Sequence, residues 1–392
     1  MKLETGSKEL IRKMNRKLVL ENIIHNGPVS RAATAKKLGL TRATVSAIVQ
    51  ELIEDAYVEE IGSQDTSLGR KPILLRFCGQ NGHVLSLNLK VDEIILMACD
   101  LEGNEILHLS HRETLTRQNV LPLLDSLILQ TIESLPPTPF RVVGITLGIH
   151  GTVQDQEILF APNYPLAGLP LASALNSRLG IPVWLENEAN LSALADNAFS
   201  AAGPNLIHIN IHTGVGAGII VNRRLYRGKD GNAGELGHTV VVPEGRPCPC
   251  GSRGCLEQYI ADPAILAEFS RRSGLPSPSM EDLAAAWEHR DLAAVNTVDD
   301  FVRYLAVGIN NLGNLFSPDC IIISSALLSC LPQLLPMIRS CLPPRLRNTF
   351  ALSISECRDR SILMGGASLA ISRFLKIQEQ PAPAGDNGSS TL

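Results

Sequence analysis

Cys248, Cys250 and Cys255 fall within eight residues, ten residues after His238, and a carboxylate, Glu257, comes just behind them. Three thiolates and one imidazole form a complete tetrahedral donor set for zinc. Gly251 and Gly254 permit the tight turns that bring Cys250 and Cys255 onto one ion. Pro247 and Pro249 stiffen the loop and lower the cost of ordering it. The competing reading is a set of reduced thiols packed in a core, where free cysteine is common. Such density in a Gly/Pro-rich loop is unlike a core, so the spacing predicts a structural Zn2+ held by His238, Cys248, Cys250 and Cys255.

A chain of 392 residues, 45% hydrophobic and 19% charged, has room for two or three domains with substantial cores. Its net charge of -4 is unevenly spread. Residues 1–80 carry 13 Lys+Arg against 9 Asp+Glu, a balance of +4, and the remainder has a balance of -8. A basic N-terminal segment on an acidic body suits an anionic partner bound at one end. The first sixteen residues are charged and lack the apolar core of a signal peptide. Cys320–Ile338, the most apolar late stretch, is broken by serines and prolines and reads as a strand followed by a helix, not a membrane span. Nine cysteines, three of them clustered as ligands, fit a reducing compartment better than a disulfide framework, so a cytoplasmic location is expected.

The N-terminal segment must position residues against that anionic partner. Leu10, Ile11, Met14, Leu18, Val19 and Ile23 recur at helical spacing, and Asn26-Gly27-Pro28 ends the helix. A second helix is predicted from Ser30, a plausible N-cap, to Leu38, and a third opens at Thr41 beyond Gly39. Two short helices joined by a turn containing glycine form a helix-turn-helix. Arg31, Thr41, Arg42, Ala43, Thr44 and Ser46 then lie where small polar and basic side chains reach phosphates and base edges of double-stranded DNA. Tyr57–Ile61 and Ile73–Phe77 read as two strands around Gly62–Pro72, the outline of a wing with Arg70 and Lys71 at its tip. A small helical bundle with solvated cations is the alternative. The combination of three helices, a polar recognition face and a basic wing favours DNA binding.

Past a hinge expected near Cys78–Gly82, the pattern becomes α/β. Strands are predicted at His83–Leu89, Glu93–Ala98, Asn104–Ser110, Val142–Leu147, Ile181–Leu185, Leu206–Ile211, Ile219–Val221 and Cys320–Ser324. Helices are predicted at Asn119–Ser134, Glu188–Ala198, over most of Glu257–Leu315, and at Gly366–Phe374. Two α/β halves facing a cleft are a common layout for a small-molecule site. No internal repeat of fixed period is visible. The expected domains are therefore 1–80, 81–377, and a disordered tail, 378–392, rich in Pro, Ala, Gly and Ser.

Gly234-Glu235-Leu236-Gly237-His238 followed by Cys248-x-Cys250-Gly-x-x-Gly-Cys255-x-Glu257, with the helix-turn-helix ahead of it, resembles the ROK family of repressors, open reading frames and sugar kinases. The resemblance runs from about Arg12 to Phe374, and the N-terminal winged helix points to the repressor branch. It implies an α/β, actin-like (ribonuclease H-like) two-lobed body with a sugar between the lobes. It also implies that Asn187, Glu188, Glu235, His238 and Glu257 face that sugar, with Asn163 in Ala161-Pro162-Asn163 as a further pocket position. Carboxylates and amides suit vicinal hydroxyls, which need several acceptors at fixed angles.

The chain departs from the family's kinases where phosphoryl transfer is done. Asn88-Leu89-Lys90-Val91-Asp92 stands in place of the Asp-x-Gly-x-Thr phosphate loop, and Glu188 in place of the catalytic aspartate. Ser324-Ser325 replaces a glycine pair, and His150 stands where proline is usual. Thr213-Gly214-Val215-Gly216-Ala217-Gly218 keeps the look of a phosphate loop, although such a run is as often a tight strand connection. Phosphoryl transfer rests on positioning and charge stabilisation, so these losses argue against catalysis. The expectation is a sugar-responsive transcriptional repressor, homodimeric or homotetrameric, bound to a DNA operator. The alternatives are a hexose kinase with an appended DNA-binding domain, and a repressor controlled by a sugar-transport phosphotransferase partner.

Overall fold

A computed structural model describes residues 8–63, 73–161, 165–199, 203–229, 231–355 and 360–377. Most of the expected wing loop with Arg70 and Lys71, the pocket position Asn163, and the tail 378–392 lie outside the described residues. The N-terminal unit is α1 (Lys8–Asn26), β1 (Val29–Ser30), α2 (Arg31–Leu38), α3 (Arg42–Glu54), β2 (Val58–Ser63) and β3 (Ile73–Phe77). Ser30 Oγ accepts the Ala33 N–H at 3.2 Å and Thr41 Oγ1 accepts the Thr44 N–H at 3.1 Å, so the expected cap Ser30, and Thr41 at the expected opening of the third helix, both cap their helices. The three strands form a sheet in the order β1-β3-β2. Val19, Ile23, Val45, Val49, Leu52 and Leu75 are its buried centre.

The body is built twice on one plan. Its first half comprises β4 (His83–Leu89), β5 (Glu93–Asp100), β6 (Glu105–Arg112), α4 (Val120–Ser134), β7 (Val142–Ile149), the small hairpin β8 (Thr152–Gln154) and β9 (Glu157–Phe160), α5 (Leu171–Leu179), β10 (Val183–Asn187) and α6 (Glu188–Phe199). The second has β11 (Leu206–Ile211), β12 (Val215–Val221), β13 (Arg224–Leu225), α7 (Glu257–Ile260), α8 (Asp262–Ser273), α9 (Met280–Glu288), α10 (Leu292–Phe316), β14 (Cys320–Ser325), α11 (Ala326–Cys330), α12 (Leu334–Cys341), β15 (Ala351–Ile354) and α13 (Arg360–Leu375). The sheets run β10-β7-β4-β5-β6 and β15-β14-β11-β12-β13. In each, three antiparallel strands come first and two parallel strands are added on the other side of the first. The repeat is topological, with loops of different length, which is why no fixed period shows in the sequence.

Helices α6 and α13 join the halves. The first packs on β11 and β12, the second on β4 and β7, and the two pack on each other. The approach is close because Gly365 has no side chain, and a Cβ there would overlap the Leu191 carbonyl. Two pairs of polar groups are buried in this layer: Ser192 Oγ meets Ser361 Oγ at 3.0 Å, and Thr146 Oγ1 donates to Gly366 O at 2.9 Å. His208, fully enclosed on β11, lies between Asp196 of α6 at 2.5 Å and Ser324 of β14 at 3.1 Å. Its order of groups is that of a hydrolase triad, but an imidazole with no exposure cannot reach a substrate, and the chain fastens α6 to the second sheet.

The predicted hinge is a short 3-10 turn, Gly79–Asn81, and the N-terminal unit rests directly on the body. Its core continues into Val84, Met97, Leu101, Leu363 and Ala370 without a gap. Tyr57 stacks on Phe140 at 4.9 Å and on Phe374 of α13 at 5.9 Å, Phe140 meets Phe374 at 5.5 Å, and Asn81 Nδ2 donates to Ala56 O at 2.8 Å. Aromatic contacts of this kind add to the area they bury. Replacing Phe374 with alanine should cost about 2 kcal/mol and loosen the docking. In denaturant titrations, probes in the N-terminal unit and in the body should then report separate midpoints, where the parent protein gives one.

Candidate metal centre and adjoining pocket

The loop between β13 and α7 folds back on itself through Val240, paired with Cys255, and Pro247, paired with Arg253. Gly251 and Gly254 take φ of +91° and +80°, the conformation expected of the two turns. The ligand atoms of His238, Cys248, Cys250 and Cys255 all lie within 4.8 Å of one another. Cys250 Sγ is 3.7 Å from Cys255 Sγ, and Cys248 Sγ is 3.7 Å from His238 Nδ1. A tetrahedron with zinc–sulfur bonds of about 2.3 Å has edges of about 3.8 Å. The predicted four therefore come together with the spacing a small tetrahedral cation demands. Burial pushes the Cys255 thiol up to about 12, whereas the Ser252 N–H holds Cys250 below the ordinary thiol range. Deprotonated together, thiols gathered this closely would need a cation between them.

His238 presents Nδ1 to the thiols, and its Nε2 lies 3.8 Å from Glu235 Oε2, at the wall of a cavity. That cavity lies in the cleft between the halves and is also lined by His150, Thr152, Asn187, Glu188, Asn190, Thr213, Gly214, Glu235 and Glu257. Glu257 opens α7 and accepts the Val215 N–H at 3.3 Å. Gln258 ties it to the cysteines, with Nε2 3.4 Å from Glu257 Oε1 and 3.6 Å from Cys248 Sγ. Among the described lining residues there are three carboxylates and no lysine or arginine.

Asn187 ends β10, and its amide is used by the fold. Oδ1 accepts the Ala189 and Asn190 N–H groups at 2.9 and 3.2 Å, capping α6. Nδ2 donates to Gly151 O at 2.9 Å and to Glu188 Oε2 at 2.7 Å. Direct contact with a hydroxyl would have to displace one of these bonds, so in this arrangement Asn187 holds Glu188 rather than offering a free group. Glu188 borders the cavity and is half-buried. Burial first, then the negative charge of Glu235, raises its carboxyl to about 8. Glu235 is raised by burial and Glu257, and partly relieved by His238 and the Thr152 hydroxyl.

The glycine run takes the second of its two expected forms, a tight strand connection. Val215–Gly218 are strand residues of β12 paired with β11, and only Thr213-Gly214 forms the turn. Gly218 lets α6 lie against the strand at Ala189 and Ala193. The run's periodicity served sheet packing, while Gly214 and Gly216 still line the cavity.

At the other end of the chain, Arg42, Ala43 and Ser46 are exposed on the leading turns of α3, and Thr44 is half-buried in the cap with Thr41. Arg31 is paired with Glu60 of β2. The exposed stripe continues through Ala47 and Gln50, which lie one turn on and follow from helical spacing. Sequence reasoning stopped short of them and also missed Thr152 and Asn190 in the cavity wall. Among the described residues no helix is long and apolar enough to cross a membrane.

These features define a class: a winged helix-turn-helix docked on a duplicated α/β body with a polar cleft and a Cys3His cluster. Residues 84–373 match the ROK family and residues 15–59 a winged helix-turn-helix DNA-binding unit. The chain belongs to the ROK family and carries the winged helix of its transcriptional-repressor branch on an actin-like body. It is 32% identical over 381 residues to the xylose repressor of Bacillus subtilis, covering 95% of this chain and 99% of that one. A solved ROK family transcriptional regulator, described as a homolog of the Escherichia coli MLC protein, superposes with a TM-score of 0.81 at 29% identity, covering 93% and 96% of the two chains. A ROK family glucokinase from Streptomyces griseus, solved with glucose and AMPPNP, aligns at 0.64 and 25% identity, covering 74% of this chain and 99% of its own.

Two outcomes are expected. The folded Glu188 keeps a proton that the unfolded chain releases near its ordinary value of 4.5. Stability should therefore fall as pH rises from about 4.5 to 8, with this group contributing at most about 1.4 kcal/mol per pH unit. Glu188→Gln should flatten that slope in thermal melts. Cys250→Ala should abolish the one equivalent of bound metal expected by elemental analysis and lower the melting temperature.

Proposed function

We propose that the protein represses sugar-metabolism genes by binding a DNA operator through α3, and that an uncharged sugar in the cleft controls this binding. The observation that carries the reading is the cavity wall, where Glu235 and Glu257 converge beside Glu188 with no lysine or arginine among the described lining residues. Carboxylates accept hydrogen bonds from neutral hydroxyls and repel a phosphate. A sugar therefore fits better than a sugar phosphate, and the similarity to a xylose repressor makes xylose the first candidate. Zn2+ is the cation we assign to His238, Cys248, Cys250 and Cys255. Bound there, it would neutralise the thiolates and hold the loop that sets His238 and Glu257 at the cavity. As a regulator bound to operator DNA, the protein works where the chromosome is, in the cytoplasm. A homodimer or homotetramer would place two α3 helices at a spacing that opening or closing of the cleft alters, and sugar shifts that equilibrium only through differential affinity.

Several features oppose phosphoryl transfer. Glu188 reaches one methylene further than the aspartate of the family's kinases, and a misplacement of about 1 Å can cost on the order of a hundredfold in rate. Asn88 Oδ1 accepts from His150 Nε2 at 2.9 Å and carries no charge for a metal-bound nucleotide. Control by a phosphotransferase-system protein is the remaining alternative, and it predicts operator release by that partner with free sugar inert.

Calorimetric titration with xylose, glucose and amino sugars tests the site. Glu257→Gln and Glu235→Gln should each weaken the sugar that binds by roughly tenfold or more, since each removes a charge-assisted acceptor. With ATP, magnesium and the same sugars no turnover is expected, and turnover abolished by Glu188→Gln would contradict the assignment. Arg42→Ala should weaken operator binding at fixed salt while leaving sugar affinity unchanged.

A further inference from the structure

Glu186 is 5% exposed and is the last residue before the Asn187–Glu188 turn. It lies on β10, in the first sheet. Arg227 lies two residues past β13, in the second. Arg227 Nε and Nη2 both donate to Glu186 Oε2, at 2.8 and 2.7 Å. Glu186 Oε1 accepts the Asn187 N–H at 3.0 Å and Asn190 Nδ2 at 2.9 Å. Four donors satisfy one enclosed carboxylate, which is the condition for keeping such a charge away from water.

Both ends of this pair lead to the cavity. On the glutamate side, the same oxygen that fixes Asn187 and Asn190 sets the first turn of α6, from which Glu188 enters the cleft. On the arginine side, Arg227 O accepts the Ala233 N–H at 3.2 Å and closes the loop that brings Ala233, Gly234 and Glu235 to the opposite wall. That loop bears on the first half as well, since a Cβ on Gly231 would come 2.6 Å from the Val153 carbonyl of β8.

We infer that Arg227 is a positioning residue for the effector site: a clasp between the two halves that sets the Glu235 loop and the Asn187–Glu188 turn together. The cavity has both its walls in place only while the pair is made. This rests on the reading of the cavity as a sugar site, and it names what assembles that site.

The test uses the full-length, zinc-loaded protein with Arg227→Gln, Glu186→Gln, the double variant and Arg227→Lys. Sugar affinity is measured by calorimetry and amide hydrogen exchange without sugar. Arg227→Gln should weaken sugar binding about tenfold, and the double variant should be no worse than either single change, because the two residues act as one unit. Arg227→Lys, which keeps the charge but loses the fork, should lose about threefold and serves if the glutamine variant does not fold. Exchange should quicken together in 226–236 and in 185–191 while β4 and β7 keep their protection. Sugar affinity within twofold of the parent in Arg227→Gln and Glu186→Gln, or faster exchange on one side of the cleft alone, would overturn the clasp. If the parent binds none of the sugars, the sugar reading fails, and the sugar-free exchange pattern alone decides whether the two walls are linked through Arg227.

Discussion

The close packing of α6 on α13 is the constraint on which the rest of the molecule depends. Gly365 brings the two backbones together, and the pair fills the layer between the two sheets. From one end of this layer, the first turn of α6 offers Glu188 to the cavity. From the other, Phe374 of α13 meets Tyr57 and so touches the DNA-binding unit. A side chain at Gly365 would push the helices apart and disturb both ends at once. The cleft and the winged helix are thus fixed to one pair of helices rather than joined by a free linker. In the function we propose, this arrangement is the route by which a change in the cleft would alter where α3 points.

The metal cluster plays a complementary part. It lies outside the central layer, on a loop with little apolar content of its own, where the cation we propose would supply the order that a core otherwise provides. His238 faces the cysteines through one ring nitrogen and Glu235 through the other, and Gln258 bridges Cys248 to Glu257. On the proposed assignments, the second wall of the cavity is stabilised by ligation and by the clasp to Glu186, and the first wall by the cap of α6.

Features that depend on local chemistry were legible in the sequence. The caps Ser30 and Thr41, the two turns of the cysteine loop and strands such as His83–Leu89 and Leu206–Ile211 follow from side-chain type and spacing, and they are present as expected. Features that depend on distant contacts were not. The duplication is carried by strand order, which leaves no periodic trace. β8, β9 and α5 are too short, or too rich in proline and glycine at their borders, to show a pattern, and the one helix expected after Cys320 is two, α11 and α12. Glu186 and Arg227 are 41 residues apart, and only the closing of the cleft makes them partners. Asn187 stood out as a polar residue in a motif, but its saturation by four hydrogen bonds appears only when the turn is built. The glycine run looked like a phosphate loop because close strand–helix approach and phosphate cradling both select glycine.

The central claim is that one cooperative body couples the cleft to the operator. It is tested most directly by selecting bound genomic fragments with the purified protein and then titrating that complex with sugars while following DNA release. A single sugar should lower operator affinity by at least about tenfold, and Glu257→Gln should blunt the response without changing affinity in its absence. Operator affinity indifferent to every sugar, with the sugar-binding cavity occupied, would contradict the account.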